Sequence, residues 1–100
     1  MKVTLQYFNG CPNWKEAEAH IDTLRTEGFD LTIEGQLIET PEAAEQHGFR
    51  GSPTIIVDGV DPFADPDAPF GLSCRVYATE DGYSGSPSLD QLREALQTAG

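Results

Sequence analysis

The chain has 100 residues, of which 38% are hydrophobic, and this size predicts a single domain over residues 1–100 with its own core. The 17 acidic and 6 basic residues give a formal charge of −11, so neither nucleic acid nor an anionic membrane is an expected partner. No apolar run approaches the roughly 20 residues that span a bilayer, and no signal-peptide pattern precedes the first predicted strand. The expected location is therefore the cytoplasm.

The first two predicted elements are a strand and a helix. Residues 3–8 are rich in β-forming side chains and carry apolar side chains on both alternating faces, which predicts a strand inside the sheet. Residues 12–27 carry apolar side chains at three- and four-residue steps, which predicts a helix that ends at Gly28. Trp14 opens the apolar stripe of this helix. Its ring either packs only against the core or also walls the thiol site.

Cys11 lies between these two elements, directly after Asn9-Gly10. The pattern places Cys11 at the N-cap and Pro12 at the first helical position, where a missing N–H costs nothing. The amino end of a helix lowers the pKa of a nearby thiol, so Cys11 is a candidate reactive thiolate in an exposed turn. The alternative is a packed, unreactive cysteine at the end of a strand.

Two further strands and a short helix are predicted in the middle of the chain. Residues 30–38 predict a strand parallel to the first, with Gly35 as a candidate bulge. Thr40 is the expected N-cap of a short helix that ends at Gly48. Residues 54–57 predict the third strand.

A turn at Asp58-Gly59 and a proline-rich loop over residues 60–71 follow the third strand. The aspartates of this loop lack the glycine and the terminal glutamate of a helix-loop-helix calcium site, so we interpret it as an ordinary acidic loop. Phe63 and Phe70 are expected to fold inward and pin it. Neither histidine of the chain has a second imidazole at a metal-ligand spacing, so no metal site is expected.

The last third of the chain predicts a strand and a helix. Alternation over residues 72–78 predicts a fourth strand, and Ser88 with Gln91 predicts a capping box at the start of the last helix. The predicted order is β-α-β-α-β-β-α, with antiparallel pairing only between the last two strands. The predicted class is α/β: a four-stranded mixed sheet flanked by three helices, with a Pro/Asp-rich loop between the last two strands.

Two motifs in these positions resemble the thioredoxin superfamily, and the resemblance covers nearly the whole chain. They are Cys11-Pro12-Asn13-Trp14 at the helix start and Ser52-Pro53-Thr54 before the third strand. The resemblance implies a thioredoxin-like fold in which Cys11 is the nucleophile and Pro53 is cis and lies against it. It also implies that Ser52 presents its backbone to a bound substrate chain, with Pro12, Trp14, Pro53 and Thr54 completing the substrate groove.

The chain departs from the superfamily at Trp14, which stands where a second cysteine is usual. Without that neighbouring thiol, a mixed disulfide on Cys11 has no adjacent group to release it. At this point the chain resembles single-cysteine glutaredoxins, which implies glutathione as an external thiol, although the basic residues that hold glutathione are missing. A weaker resemblance is to small proteins grouped with organomercurial lyases, which cleave carbon–mercury bonds with two cysteines and a carboxylate. This resemblance implies that Cys11, Cys74 and a loop aspartate take those three roles.

Cys74 has two interpretations. It shares a predicted strand face with Leu72 and Val76, which predicts a buried, inert thiol. Alternatively, it is a candidate resolving cysteine in a disulfide with Cys11, which needs Cα atoms roughly 4.4–6.8 Å apart. The predicted fourth strand begins at the sheet edge away from the active end, which disfavours this pair, but the preceding loop leaves the register open.

The sequence supports two functional hypotheses. The first is a small redox protein in which the Cys11 thiolate carries out thiol–disulfide exchange with a protein or small-molecule thiol. The second is a non-catalytic binding module for a peptide, a soft metal or an organomercurial. No resident cofactor is expected, and a monomer or weak homodimer is expected.

Overall fold

A computed structural model describes residues 1–99 of the chain as an α/β protein with three helices and two separate sheets. The strands are β1 (Lys2–Tyr7), β2 (Thr32–Leu37), β3 (Thr54–Val57), β4 (Tyr77–Thr79) and β5 (Gly82–Ser84). The helices are α1 (Trp14–Thr26), α2 (Pro41–His47) and α3 (Leu89–Ala99).

The larger sheet is mixed and has the strand order β2-β1-β3. β1 and β2 pair in parallel, as predicted, and their register runs without interruption through Gly35, so the expected bulge is wrong. β1 and β3 pair antiparallel, which corrects the prediction that only the last two strands would do so. Because β1 lies between the other two strands, the turn at its carboxyl end has a rigid support.

One core lies between this sheet and helices α1 and α3. Its buried side chains are Val3, Leu5, Ala17, Ile21, Leu24, Leu31, Ile55, Val57, Leu92 and Leu96. A smaller cluster of Ile38, Ala44 and Phe49 packs around α2. None of the helices within residues 1–99 is long and apolar enough to cross a bilayer.

The predicted N-caps of α2 and α3 and the predicted turn are confirmed. Thr40 accepts a hydrogen bond from the N–H three residues later, at 3.0 Å. Ser88 and Gln91 form a reciprocal capping box, with donor–acceptor distances of 3.0 and 3.1 Å. Asp58 and Gly59 both have positive φ, and the residues on either side of them exchange two backbone hydrogen bonds.

The predicted fourth strand of the main sheet does not form. Residues 77–79 make β4, which pairs only with β5 in a small antiparallel sheet. Upstream of β4, a single parallel bridge joins Cys74 to Ser52. Residues 72–76 therefore form a segment that pairs with the main chain before β3 through two backbone hydrogen bonds at Ser52.

Leu72 is half-buried against the cluster around α2, but from Cys74 onward the pattern of exposure is the opposite of the prediction. Cys74, Val76 and Ala78 are exposed, whereas Tyr77 is buried and the Arg75 side chain is only 9% exposed. The tyrosine ring offers more apolar area than valine or alanine, and the arginine has an ion-pair partner inside. These two inward contacts outweigh the burial of the smaller apolar side chains.

The two loop phenylalanines behave differently. Phe63 is half-buried, packs against the core, and meets the Tyr77 ring edge-on at a centroid distance of 5.6 Å. Phe70 is 46% exposed and lies against the guanidinium of Arg50, so the prediction that it folds inward is wrong. Arg50 already holds the loop by donating to two of its carbonyl groups, which removes the need for a second aromatic anchor.

Candidate functional site

The two cysteines form a disulfide that closes a sequence separation of 63 residues. Their Cα atoms are 5.7 Å apart, within the usual range for a disulfide. The sequence interpretation that disfavoured this pair assumed a fourth strand in the main sheet. Since residues 72–76 instead cross beside Ser52, Cys74 reaches the turn that holds Cys11.

Cys11 lies in the turn between β1 and α1, and its N–H donates to the carbonyl of Phe8 at 3.3 Å. The N-cap of α1 is Asn13, so the predictions that Cys11 caps the helix and that the helix begins at residue 12 are both wrong. Cys11 stands two residues before the cap. It is also fully buried, at 0% exposure, which corrects the expectation of an exposed turn.

Cys74 has the opposite surroundings from Cys11. It is exposed, so the interpretation of a buried, inert thiol is wrong. Arg75 beside it and Tyr77 further along are more buried, and the Cys74 sulfur is bonded to the sulfur of the buried Cys11. The disulfide therefore joins one cysteine that solvent reaches to one that solvent does not reach.

Ser52 connects the two cysteines through its backbone. Its carbonyl oxygen lies 3.7 Å from Cys11 Sγ and accepts a hydrogen bond from the Arg75 N–H at 2.9 Å. Its own N–H donates to the carbonyl of Ser73 at 2.8 Å. The resemblance assigns these backbone groups to a substrate chain, but in the structure the protein's own segment occupies them. The Ser52–Pro53 peptide bond is cis, the isomer that the resemblance implies.

Arg75 is the site residue that the sequence analysis missed. Its guanidinium pairs with Asp61 at 2.8 Å, donates to the carbonyl of Phe63, and lies 3.4 Å from the hydroxyl of Thr54. It also stacks over the Tyr77 ring, 4.7 Å from the centroid. One signal was present: Arg75 is the lone charge in an otherwise uncharged run, and an acidic loop precedes it.

Tyr77 is a second residue that holds the segment of residues 72–76 in place, through a contact with Pro53. Its hydroxyl donates to the carbonyl of Pro53. Burial raises the pKa of the Tyr77 phenol, and the nearby Arg75 charge opposes that shift. The phenol therefore stays protonated and keeps donating throughout the physiological range.

The remaining predicted site residues lie in three kinds of surroundings. Pro12 is exposed at the turn. The Trp14 ring packs against the Tyr7 ring at 4.5 Å and against the core, with the Lys15 ammonium over it. Thr54 is buried and donates to the carbonyl of Gly51 at 2.6 Å, so its hydroxyl has a structural role beneath the segment.

Two cavities lie in different parts of the structure. One of about 240 Å³ is next to the turn that holds Cys11 and is lined by Phe8, Asn9, Gly10, Leu37, Ile38, Glu39 and Leu72. Another of about 650 Å³ lies between the end of β3 and helix α3. Neither cysteine lines either cavity.

Within residues 1–99, no three candidate metal ligands come together. Comparison with protein-family models gives no match, and comparison with curated protein sequences gives no relative. The function is therefore inferred from the cysteine pair and its surroundings.

Proposed function

We propose that this protein is a thiol–disulfide exchange protein whose redox pair is Cys11 and Cys74. The observation that carries the proposal is the juxtaposition of two cysteines far apart in sequence, one exposed and one buried. In this proposal Cys74 supplies the second thiol, which the thioredoxin superfamily usually carries at the position that Trp14 occupies here. In the expected reducing cytoplasm, low-molecular-weight thiols are abundant and close the cycle.

The proposed fold is thioredoxin-like. Three features support it: β1 and β2 are parallel with α1 between them, Cys11 lies at the turn from β1 into α1, and β3 follows Pro53 and runs antiparallel to β1. In this proposal the small sheet of β4 and β5 takes the place of a fourth strand of the main sheet.

The exposure of the two cysteines favours Cys74 as the residue that reacts with external thiols and Cys11 as the resolving residue. This is the reverse of the roles predicted from the sequence. An external thiolate attacks Sγ of Cys74, the Cys74–Cys11 bond breaks, and Cys11 leaves as a thiolate that takes up a proton. A second external thiolate attacks the external sulfur of the mixed disulfide on Cys74, so the two external groups leave as a disulfide and Cys74 leaves as a thiolate that takes up a proton. Two external thiols are oxidised and the protein disulfide is reduced.

In the opposite direction, the Cys74 thiolate attacks an external disulfide, and Cys11 then attacks Cys74 to release the second external thiol. Cys11 stands two residues before the N-cap of α1, so the positive end of the helix is close to its sulfur, while its burial opposes ionisation. Asn13 makes no side-chain capping bond, so its side chain does not compete for the first N–H groups of the helix. Cys11 thus remains a nucleophile, but its target is the Cys74 sulfur.

Trapping of mixed disulfides tests these roles. The Cys11→Ser variant should form a stable mixed disulfide at Cys74 with an external disulfide, detected by mass spectrometry without reductant. The matched Cys74→Ser variant should react far more slowly, because its remaining thiol is buried. Faster trapping in Cys74→Ser would reverse the roles. Two free thiols in the native protein after equilibration with an oxidising glutathione buffer would contradict the redox pair itself.

A second candidate function is binding of a soft metal ion by the reduced pair, and one observation favours it. The two sulfur atoms are adjacent, and paired thiolates suit copper(I), zinc or mercury. Titration of the reduced protein with copper(I) should then show one site that both Cys11→Ser and Cys74→Ser abolish. Retention of that site in either variant would contradict this candidate.

A further inference from the structure

The backbone groups of Ser52, where a substrate strand would pair, are already bonded to the protein's own chain. Ser52 and Cys11 are both fully buried, and the segment of Ser73, Cys74 and Arg75 lies along Ser52. Because the N–H and the carbonyl of Ser52 both bond to this segment, no backbone group of Ser52 is left for an incoming strand. A peptide that docks by adding a strand needs such unpaired groups.

The segment is held by contacts that do not depend on the disulfide. Arg75 pairs with Asp61 and donates to the Phe63 carbonyl, and the Tyr77 hydroxyl donates to the Pro53 carbonyl. The Arg75 side chain is 9% exposed, and losing one partner of such a buried pair is costly. None of these contacts, nor the two Ser52 backbone bonds, involves a sulfur atom, so reduction of the disulfide removes none of them directly.

The segment also fits closely against the chain beneath it. A Cβ atom added to Gly51 would lie 3.0 Å from the Cβ of Arg75 and 3.2 Å from its backbone, so only glycine permits this approach. Cys11 is fully buried, whereas Cys74 is an exposed residue. Cys74 is therefore the residue of the pair that an external group meets first.

We propose that segment 73–75 restricts exchange to low-molecular-weight thiols and disulfides that reach Cys74 from solvent, and that extended protein or peptide substrates gain nothing at Ser52. This inference rests on the proposed thiol–disulfide function and narrows its substrate class. The exchange remains balanced as above: two small thiols become one small disulfide while the Cys11–Cys74 disulfide becomes a dithiol. No co-reactant beyond the small thiol is needed.

Two thiol probes with the same reacting group test the substrate class. One is N-acetylcysteine amide, and the other is an extended peptide of alanine and serine with one central cysteine. We expect the rate constant of the peptide for reducing the native protein disulfide, expressed per thiolate, to be at most equal to that of N-acetylcysteine amide, because the peptide gains no contact at Ser52. A peptide that reacts about tenfold faster or more would overturn the inference but leave the proposed function intact. Negligible reduction by both probes would overturn the proposed function, and this inference with it.

A pair of variants tests whether the segment is the cause. Arg75→Gln removes the ion pair with Asp61 and should raise the rate of the peptide relative to that of the small probe. Arg50→Gln is the matched control: it also loosens loop 60–71, through the carbonyls of Pro66 and Ala68, without touching the segment. An equal gain in both variants, or no gain in a folded Arg75→Gln protein, would contradict the role of the segment. If circular dichroism shows that Arg75→Gln is unfolded, the two-probe comparison on the native protein decides the inference.

Discussion

At the scale of single residues, the site depends on a close approach at Gly51. Its φ of +128° lies in the region that favours glycine, and the backbone of Arg75 passes within 3.2 Å of where a Cβ would stand. Glycine is therefore required at position 51 for two reasons: the backbone angle is unusual, and there is no room for a side chain. Both features allow the segment that contains Cys74 to lie against Ser52.

Gly51→Ala should be destabilising and should weaken the pairing of the two cysteines. The positive φ costs on the order of 1–3 kcal/mol, and the contact with Arg75 adds to that cost. Urea unfolding of the oxidised proteins measures the loss of stability. Gly28→Ala is a suitable control, because Gly28 has φ +109° but nothing within 4 Å of an added Cβ. Equal losses in the two variants would show that the approach of Arg75 contributes nothing.

At the scale of elements, local signals predicted those elements whose ends are defined by side-chain capping. Thr40 and Ser88 identified the starts of α2 and α3 because their capping partners lie within three residues. The segment over residues 72–76 could not be predicted in this way. Its apolar alternation favours burial of Cys74, whereas contacts of Arg75 with Asp61, and of Tyr77 with Pro53, decide which face points inward.

The candidate site could likewise be predicted only in part from the sequence. A cysteine at the turn from a strand into a helix was visible in the sequence, and so was the motif that begins at Ser52. The partnership of Cys11 with Cys74 depends on where residues 72–76 cross, which is a long-range property that no local pattern contains. The sequence could name both sulfurs but left their pairing open.

The contact between α1 and α3 should make stability depend on pH. Arg93 donates two hydrogen bonds to the carboxylate of Glu27, both at 2.9 Å, and this lowers the pKa of Glu27 below its ordinary value. A carboxyl group whose pKa is lower in the folded state contributes stability above its unfolded-state pKa and loses it as the pH falls through the folded-state value.

Glu27→Gln should therefore be less stable than the native protein at neutral pH, and the difference should shrink below about pH 4. Thermal unfolding at pH 7 and at successively lower pH values measures it. Glu18→Gln is the control, since Glu18 is an exposed α1 carboxylate with no ion pair among residues 1–99. A deficit in Glu27→Gln that stays constant down to strongly acid pH would contradict the role of the carboxylate.

At the scale of the whole molecule, the disulfide ties the first turn of the fold to the region before β4. It closes a separation of 63 residues, and a cross-link of that length restricts the unfolded chain by about 4 kcal/mol in the chain-entropy description. Reduction should lower the free energy of unfolding by about this amount, because the anchors of Arg75 and Tyr77 keep the folded state the same in both redox forms.

Urea unfolding with and without dithiothreitol measures this difference. A double variant with Cys11→Ser and Cys74→Ser should match the reduced protein and should not respond to the reductant. Coincident unfolding curves for the oxidised and reduced native protein would mean that the cross-link does not form in solution. A loss much larger than predicted would show that the folded state itself changes on reduction.

The net charge of the whole molecule should select among small thiols. The attacking species is a thiolate, and the formal charge of −11 repels anions over the distances at which charges are unscreened. Arg75, the basic residue next to Cys74, is paired with Asp61 and faces inward, so it does not offset this repulsion.

We expect reduction of the disulfide to be fastest with cysteamine, intermediate with 2-mercaptoethanol and slowest with 3-mercaptopropionate, once rates are corrected for the pKa of each thiol. Rates measured at low and at high salt separate charge from size, because screening should accelerate the anionic thiol most and bring the three rates together. An order of rates that persists unchanged in high salt would assign the selection to contacts at Cys74 and not to the charge of the molecule.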